Sequence, residues 1–560
     1  MNPLILVDYY KTEHQKMYPE GMTKLYSNFT PRKSRIKGVE HVVNFGLQHF
    51  ILEYLIKKFN KDFFVFTKEE REHLINGENR SISNGLMKTL GRHRKRILSD
   101  YAKHIKLNSY SHIEKLWDLG YLPIEIKSLP EGTLVPIGVP VFTITNTHPD
   151  FAWLVNYLET LISAMMWQPI TSATIANEYK KILKSWAIKT TGSSEGVEWQ
   201  GHDFSMRGMS SVETATISGM AHLLSFTGTD TIPAIYALES SYSPQKDTII
   251  GGSVPATEHS VMCMGEKETE IETFKRLLKL YPTGILSVVS DTWDLWKVLT
   301  EYLPQIKDEI LSRDGKLVIR PDSGNPIDII CGVKAEIYND KYFTKSNITD
   351  DNGEALLNHL HITNNEYKGV IELLWDVFGG TTNEQGYKVL DSHIGAIYGD
   401  GIGLHNVEEI MSRLEAKGFA STNIVLGFGS YGYQYNTRDT FGFAMKATYG
   451  EITHEGNCGY EDPEEMCCDY HDNGCSGKCK NPIIEAREIF KDPITDDGTK
   501  KSKKGLLKVQ HYEQDSMDIH VIDQQTWKEE QEGLLETVFK DSKLIKSTTL
   551  EEIRERLNNQ

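Results

Sequence analysis

No uninterrupted apolar run among the 560 residues approaches the ~18 needed to cross a bilayer as a helix, so the sequence reads as one without a membrane span. Cysteine is scarce, with seven in all. Cys263 and Cys331 stand apart, while Cys458, Cys467, Cys468, Cys475 and Cys479 crowd into one segment. The first ten residues, Met1 to Tyr10, lack the basic start and long apolar centre of a secretory signal. In a large chain of that kind, crowded cysteines point to reduced thiols or a metal rather than to a disulfide framework, and the expectation is a cytoplasmic protein. Positive charge is also in short supply. A formal net charge of −17 argues against a nonspecific nucleic-acid binder, and it means that any anionic ligand must be met by local cationic clusters.

What is present is an ordinary globular composition, 39% hydrophobic and 25% charged. A chain of this length outgrows one hydrophobic core, which points to two domains. The most informative stretch runs from Leu317 to Pro326, LVIRPDSGNP. Leu317, Val318 and Ile319 make a buried-strand pattern that ends abruptly in Arg320, Asp322, Ser323, Gly324 and Asn325, bracketed by Pro321 and Pro326. In α/β proteins such a cluster at the carboxyl end of a strand faces a ligand. A polar turn with an Arg-Asp pair is the plainer alternative.

The same grammar repeats along the middle of the chain. Tips fall at His202-Asp203-Phe204, Gly228-Thr229-Asp230, Glu258-His259, Ser290-Asp291, Arg320 to Asn325, Gly399-Asp400-Gly401 and Gly427 to Ser430. Helix starts follow several of them: a capping box of Ser210 with Glu213, Asp291 ahead of Leu295, Trp296, Leu299 and Leu303, and Asn406 ahead of Ile410 and Leu414 with Gly418 as stop. Strands alternating with helices pair in parallel, and seven such units predict a closed or nearly closed α/β barrel whose tips share one face. Upstream, Thr67 with Glu70 reads as another capping box and Trp153 to Met166 as a buried helix near the first domain's end. From about 449 to 485 a polar, Cys-rich segment reads as an insertion. A last helix is predicted to start at Thr548 with Glu551.

Carboxylates accept hydrogen bonds from vicinal hydroxyls, and guanidinium and backbone N–H groups hold phosphate, so these tips suit a sugar phosphate. Arg207 precedes a helix start, and Arg438, Lys446, Lys491 and Lys500 are the cations that could offset the acidic background. Each of the four is, taken singly, equally an ordinary solvated surface charge.

The collinear blocks HDFSMRGMSS, GTDT, SVPATEHS, SVVSDTWD, IRPDSGNP, GDGI, TRD and FKDP resemble the nicotinamide phosphoribosyltransferases, a branch of the type II phosphoribosyltransferases related to the nicotinate enzymes. The resemblance runs from DYYKTEH near the N-terminus to KSKKGLL near the C-terminus. It implies an irregular α/β barrel at 166–435 and a discontinuous α+β domain built from 1–165 and 436–560. The implied reaction joins nicotinamide to phosphoribosyl pyrophosphate with Mg²⁺, giving nicotinamide mononucleotide and pyrophosphate, in a homodimer with shared sites.

By the same resemblance, Phe204 and the partner subunit's Tyr10 sandwich the pyridine ring, and Asp230 accepts the carboxamide N–H. Arg320 and Asp322 hold the base and ribose, Gly399 and Asp400 the ribose hydroxyls, and Ser253 belongs to the substrate set. Arg207 and His259 face the pyrophosphate. Ser430 and Arg438 of the partner subunit contact the nucleotide phosphate, with Lys446, Lys491 and Lys500 close by. His259, Asp322 and Arg320 form the catalytic group, and ATP optionally phosphorylates His259. The chain departs from the family in having Phe428, Ser430 and Tyr431 where a glycine run is expected, and Ala444 in place of a hydroxyl residue. Cys467, His471, Cys475 and Cys479 are the candidate ligands of a structural zinc in the insertion, with reduced thiols in a polar loop as the alternative.

Against a nicotinate phosphoribosyltransferase stands Asp230, which would repel a ring carboxylate. Against a non-catalytic nucleotide sensor stands the full set Arg207, His259, Asp322 and Asp400.

Overall fold

The computed structural model describes residues 1–66, 70–72, 80–107, 109–338, 341–349, 355–399, 401–454, 483–492, 494–495, 502–513 and 518–560. Thr67, Asp400, Cys467, His471, Cys475, Cys479 and Lys500 lie outside those residues. The chain divides into two compact units, Met1–Thr171 with Ser241–Ser243 and Thr437–Gln560, and Ser172–Ser240 with Pro244–Asn436. The change of unit at Thr171 falls inside a helix, Glu159–Thr191. That helix is preceded by a shorter one, Ala152–Tyr157, so the single apolar helix expected over Trp153 to Met166 is two helices meeting at Leu158.

The first unit is built on a seven-stranded sheet ordered Ile483–Glu488, Ala444–His454, Met22–Thr30, Phe142–Asn146, Ile124–Ser128, Glu536–Lys540, Lys543–Leu544, antiparallel throughout. N-terminal and C-terminal strands interleave, which makes this a discontinuous α+β fold. Its core includes Phe29, stacked between Phe142 at 5.0 Å and Phe443 at 5.2 Å. The insertion expected from about 449 starts later, because Tyr449 to His454 still belong to a strand and pair with Ile483 to Glu488. Burial alternates there with period two, Gly450 and Ile452 inward, a pattern that glycine and charge conceal in the sequence. His454, at its end, bonds Glu485 at 2.9 Å.

The second unit carries six parallel strands ordered Gly228–Thr229, Gly201–Asp203, Ile424–Phe428, Ile394–Tyr398, Asp314–Arg320, Thr283–Val289. The segment 251–257 bridges the two edge strands, Gly252 pairing with Gly228 and Ala256 with Ser287. The irregular α/β barrel thus has six strands and one bridging segment, which carry the seven tips. Parallel pairing brings every tip to the same edge of the sheet. A three-stranded antiparallel sheet, Glu336–Tyr338, Lys341–Thr349 and Ala355–Ile362, which the sequence reading missed, follows the fifth tip.

Several helix starts sit one to three residues from their expected positions. The capping box is Ser211 with Thr214, not Ser210 with Glu213, and the last helix is capped by Thr549 with Glu552, not Thr548 with Glu551. Asp294 rather than Asp291 caps Leu295–Lys297, and Asn406 lies inside Leu404–Ala416, reaching back to the Gly403 N–H. In the first three cases two adjacent polar residues, or an Asp three residues off, offer the same chemistry, and the first buried apolar turn decides between them. Among the described residues no helix is long and apolar enough to cross a membrane.

Candidate active site

Strand alternation puts His202 and Phe204 on one face, and their rings lie 4.4 Å apart. His202 Nε2 is 2.9 Å from Asp230 Oδ1, which also accepts from Ser253 Oγ at 2.6 Å. Burial pushes the Asp230 carboxyl up, yet the hydrogen bonds from His202 and Ser253 and the charges of His202 and Arg320 bring it below the usual range. Asp230 is therefore an ionised acceptor beside an aromatic face. His202 was not among the expected site residues, although its place two residues before Phe204 was the signal that could have found it.

Next along the edge, Asp322 is set by its neighbour, with its backbone N–H donating to Asp291 Oδ2 at 2.9 Å and Ser323 Oγ donating to the same oxygen at 2.5 Å. The Asp322 Oδ2 lies 3.9 Å from His259 Nε2, and His259 Nδ1 lies 3.3 Å from Thr292 Oγ1. Gly399 is a site of close approach, since a Cβ there would collide with the Asp322 carboxylate. Asp291 was expected at a tip and as a helix start but not as the partner of Asp322, and Thr292 was given no role.

On the other side, Arg207 is exposed in the turn Met206–Gly208, and a Cβ on Gly208 would run into Ser430, so this turn abuts the first residue of the helix Ser430–Gln434. Phe428 does not obstruct this corner. Its ring is fully buried and stacks on Tyr179 at 4.0 Å, while its carbonyl accepts the Phe204 N–H at 3.0 Å. The second unit thus brings together Phe204, Arg207, Asp230, Ser253, His259, Arg320, Asp322, Gly399 and Ser430.

The remaining described residues belong to the first unit. Tyr10 and Arg438, both exposed, line one cavity of about 270 Å³ with Lys11, Glu159 and Trp167. Lys446 has its ammonium pulled down first by burial and then by the neighbouring cations Arg32, Lys491 and Arg438, against the opposing pull of Glu159. Clustered cations create a local positive field that attracts an anion. Among the described residues no group of three or more His, Cys, Asp or Glu is placed to hold a metal.

Parallel strands with acceptors and cations at one edge suit the class of sugar-phosphate enzymes. The profile of the nicotinate phosphoribosyltransferase (NAPRTase) family matches residues 199–464, and that of the nicotinamide phosphoribosyltransferase N-terminal domain matches residues 2–72. A nicotinamide phosphoribosyltransferase of Acinetobacter baylyi is 45% identical over 572 residues, covering 100% of this chain and 98% of its own. One from Mycoplasma pneumoniae is 34% identical over 488 residues, covering 86% of this chain and 96% of its own. The chain belongs to the nicotinamide phosphoribosyltransferases, which are pentosyltransferases.

Proposed function

We propose that this chain joins nicotinamide to phosphoribosyl pyrophosphate, giving nicotinamide mononucleotide and pyrophosphate for NAD salvage in the cytoplasm. The observation that carries the reading is the Asp230 carboxylate, held ionised by His202, Ser253 and Arg320, with the His202 ring 4.4 Å from that of Phe204. It accepts a carboxamide N–H and repels the carboxylate of nicotinate.

The pyridine nitrogen is already a nucleophile, so no general base is needed. The barrier lies in breaking the bond to pyrophosphate through an oxocarbenium-like state, which positioning and charge stabilise. Phe204 and Asp230 orient the ring, Arg320 and Asp322 hold base and ribose, and Gly399 and Asp400 the ribose hydroxyls. Arg207 and His259 bind the departing pyrophosphate. Ser430, Lys446, Lys491 and Lys500 serve the phosphate end.

Mg²⁺ fits this donor set, because it takes one or two protein carboxylates together with phosphate oxygens and waters, and Asp322 is a half-buried carboxylate opening toward His259. Asp322 would hold it, and when bound it would supply charge neutralisation at the pyrophosphate.

The working unit is a homodimer, with the ring sandwich and phosphate contacts completed by Tyr10 of the partner subunit and Arg438 of the partner subunit. The shared cavity of Tyr10 and Arg438 supports treating them as one functional pair. ATP phosphorylates His259, whose half-exposed imidazole is open to it. An acid-labile adduct absent from His259→Ala is the expected result. The decisive experiment for the main reading is a product assay with nicotinamide and nicotinate side by side. Mononucleotide from nicotinamide is expected, and equal or better use of nicotinate overturns the reading.

A further inference from the structure

Phe204 and Asp230 stand at the ends of two neighbouring strands, and Asp203, which precedes Phe204 and pairs with Thr229, has a completely buried side chain. Its Oδ1 accepts the Ser205 N–H at 2.9 Å, and its Oδ2 accepts the Thr229 hydroxyl at 3.1 Å and the Thr231 hydroxyl at 2.7 Å. Thr229 Oγ1 in turn accepts the Thr231 N–H at 2.9 Å, and the Asp203 carbonyl accepts the Asp230 N–H at 3.0 Å. One residue therefore grips the residue after Phe204, both neighbours of Asp230, and Asp230 itself.

A carboxyl buried this completely, with a backbone N–H and two hydroxyls as its donors, is an expensive choice if packing were its only purpose. Nearby His222 is no counter-ion. It is fully buried, which is the main reason its imidazole falls to about 4 despite the opposing pull of Asp203, and it bonds Tyr433 Oη and the Gly228 carbonyl. What the arrangement gains is rigidity, since one donor from the residue after Phe204 and two from the residues flanking Asp230 converge on a single buried side chain.

We propose that Asp203 is a positioning residue that fixes the distance between the Phe204 ring and the Asp230 carboxylate, and so sets the choice of pyridine substrate, without itself touching substrate. This rests on the substrate reading given above. An acceptor displaced by an ångström loses a directional hydrogen bond to the carboxamide, while sites that bind phosphate elsewhere on the edge are untouched.

The test compares Asp203→Asn, Thr231→Val and Thr231→Ser with the unaltered protein, measuring KM and kcat for nicotinamide, KM for phosphoribosyl pyrophosphate, product from nicotinate, and the melting temperature. Thr231→Val removes one donor without changing shape, and Thr231→Ser restores it. For Asp203→Asn and Thr231→Val the nicotinamide KM should rise by about 10- to 100-fold, with phosphoribosyl pyrophosphate KM within threefold and the preference for nicotinamide over nicotinate reduced. Thr231→Ser should stay within threefold of the unaltered protein. A lower melting temperature with unchanged nicotinamide KM, or an equal rise of both KM values, overturns the positioning role. If Asp203→Asn does not fold, the Thr231 pair decides. Failure of the unaltered protein to use nicotinamide would instead overturn the substrate reading.

Discussion

Asp291 Oδ2 receives the backbone N–H of Asp322 at 2.9 Å, so the loop after one strand fixes the site residue at the end of the next. Ser323 Oγ binds the same oxygen at 2.5 Å. Asp291 Oδ1 is buried without a hydrogen-bond partner among the described residues, so both hydrogen bonds of the carboxylate shown there run to the loop of Asp322 and Ser323. Asp291→Ala should lower kcat/KM for phosphoribosyl pyrophosphate by about 10- to 100-fold, roughly 1.4 to 2.7 kcal/mol of transition-state stabilisation. Asp291→Asn, which keeps one acceptor, should recover most of the loss. Steady-state kinetics of the two variants check this, and equal defects would contradict it.

Asp230→Asn removes the repulsive charge while leaving an amide that can still accept. Use of nicotinamide should weaken by about tenfold and rejection of nicotinate should relax by about as much, a few kcal/mol in the specificity difference at most. Competition between the two substrates in one vessel reads the ratio directly. Selectivity that does not move would remove Asp230 from its assigned role.

The barrel and its seven tips were legible because polar clusters recur between apolar strands and helix starts, and Leu317 and Ile319 ahead of Arg320 are fully buried as their pattern requires. Collinear motifs supplied the residue roles, which no spacing could. His202, Asp203 and Asp291 were named at strand tips, but their contacts, and that of Thr292, stayed hidden for a physical reason: they join residues 26 to 33 positions apart, across neighbouring strands and loops. Helix starts slipped because Ser210 and Ser211, or Thr548 and Thr549, are chemically equivalent caps until packing chooses. The strand through Gly450 and Ile452 was read as insertion because its charges sit on the open face.

Glu270 is almost completely buried, its Oε1 has no hydrogen-bond partner among the described residues, and burial with the nearby Asp294 charge raises its carboxyl to about 7, with Lys297 opposing. A folded-state value above the unfolded one means that the folded protein binds the extra proton. The stabilisation is full below about pH 4.5 and is lost as pH rises through about 7, where the buried group must ionise. Glu270→Gln stays neutral, so it should be more stable than the unaltered protein by about 1 to 3 kcal/mol above pH 7.5 and close to it at pH 5. Thermal unfolding of both proteins across that range is the measurement, and a pH-independent difference would exclude the linkage.

The shared site makes the sharpest demand. If the partner subunit's Tyr10 and Arg438 complete each site, Tyr10→Ala with Arg438→Ala inactivates a homodimer, and so does Asp230→Ala with Asp322→Ala. In a heterodimer of the two, one site combines an intact Asp230 and Asp322 from one chain with an intact Tyr10 and Arg438 from the other, and the second site carries every defect. Random exchange of equal amounts gives half heterodimers with one good site of two, so activity should return to about a quarter of the unaltered level. Two different affinity tags allow the heterodimer to be purified, and its activity should then approach about half. Inactive heterodimers of confirmed composition would mean that all four residues act within one chain. A protein that runs as a monomer at assay concentration while remaining fully active would dispose of the shared site altogether.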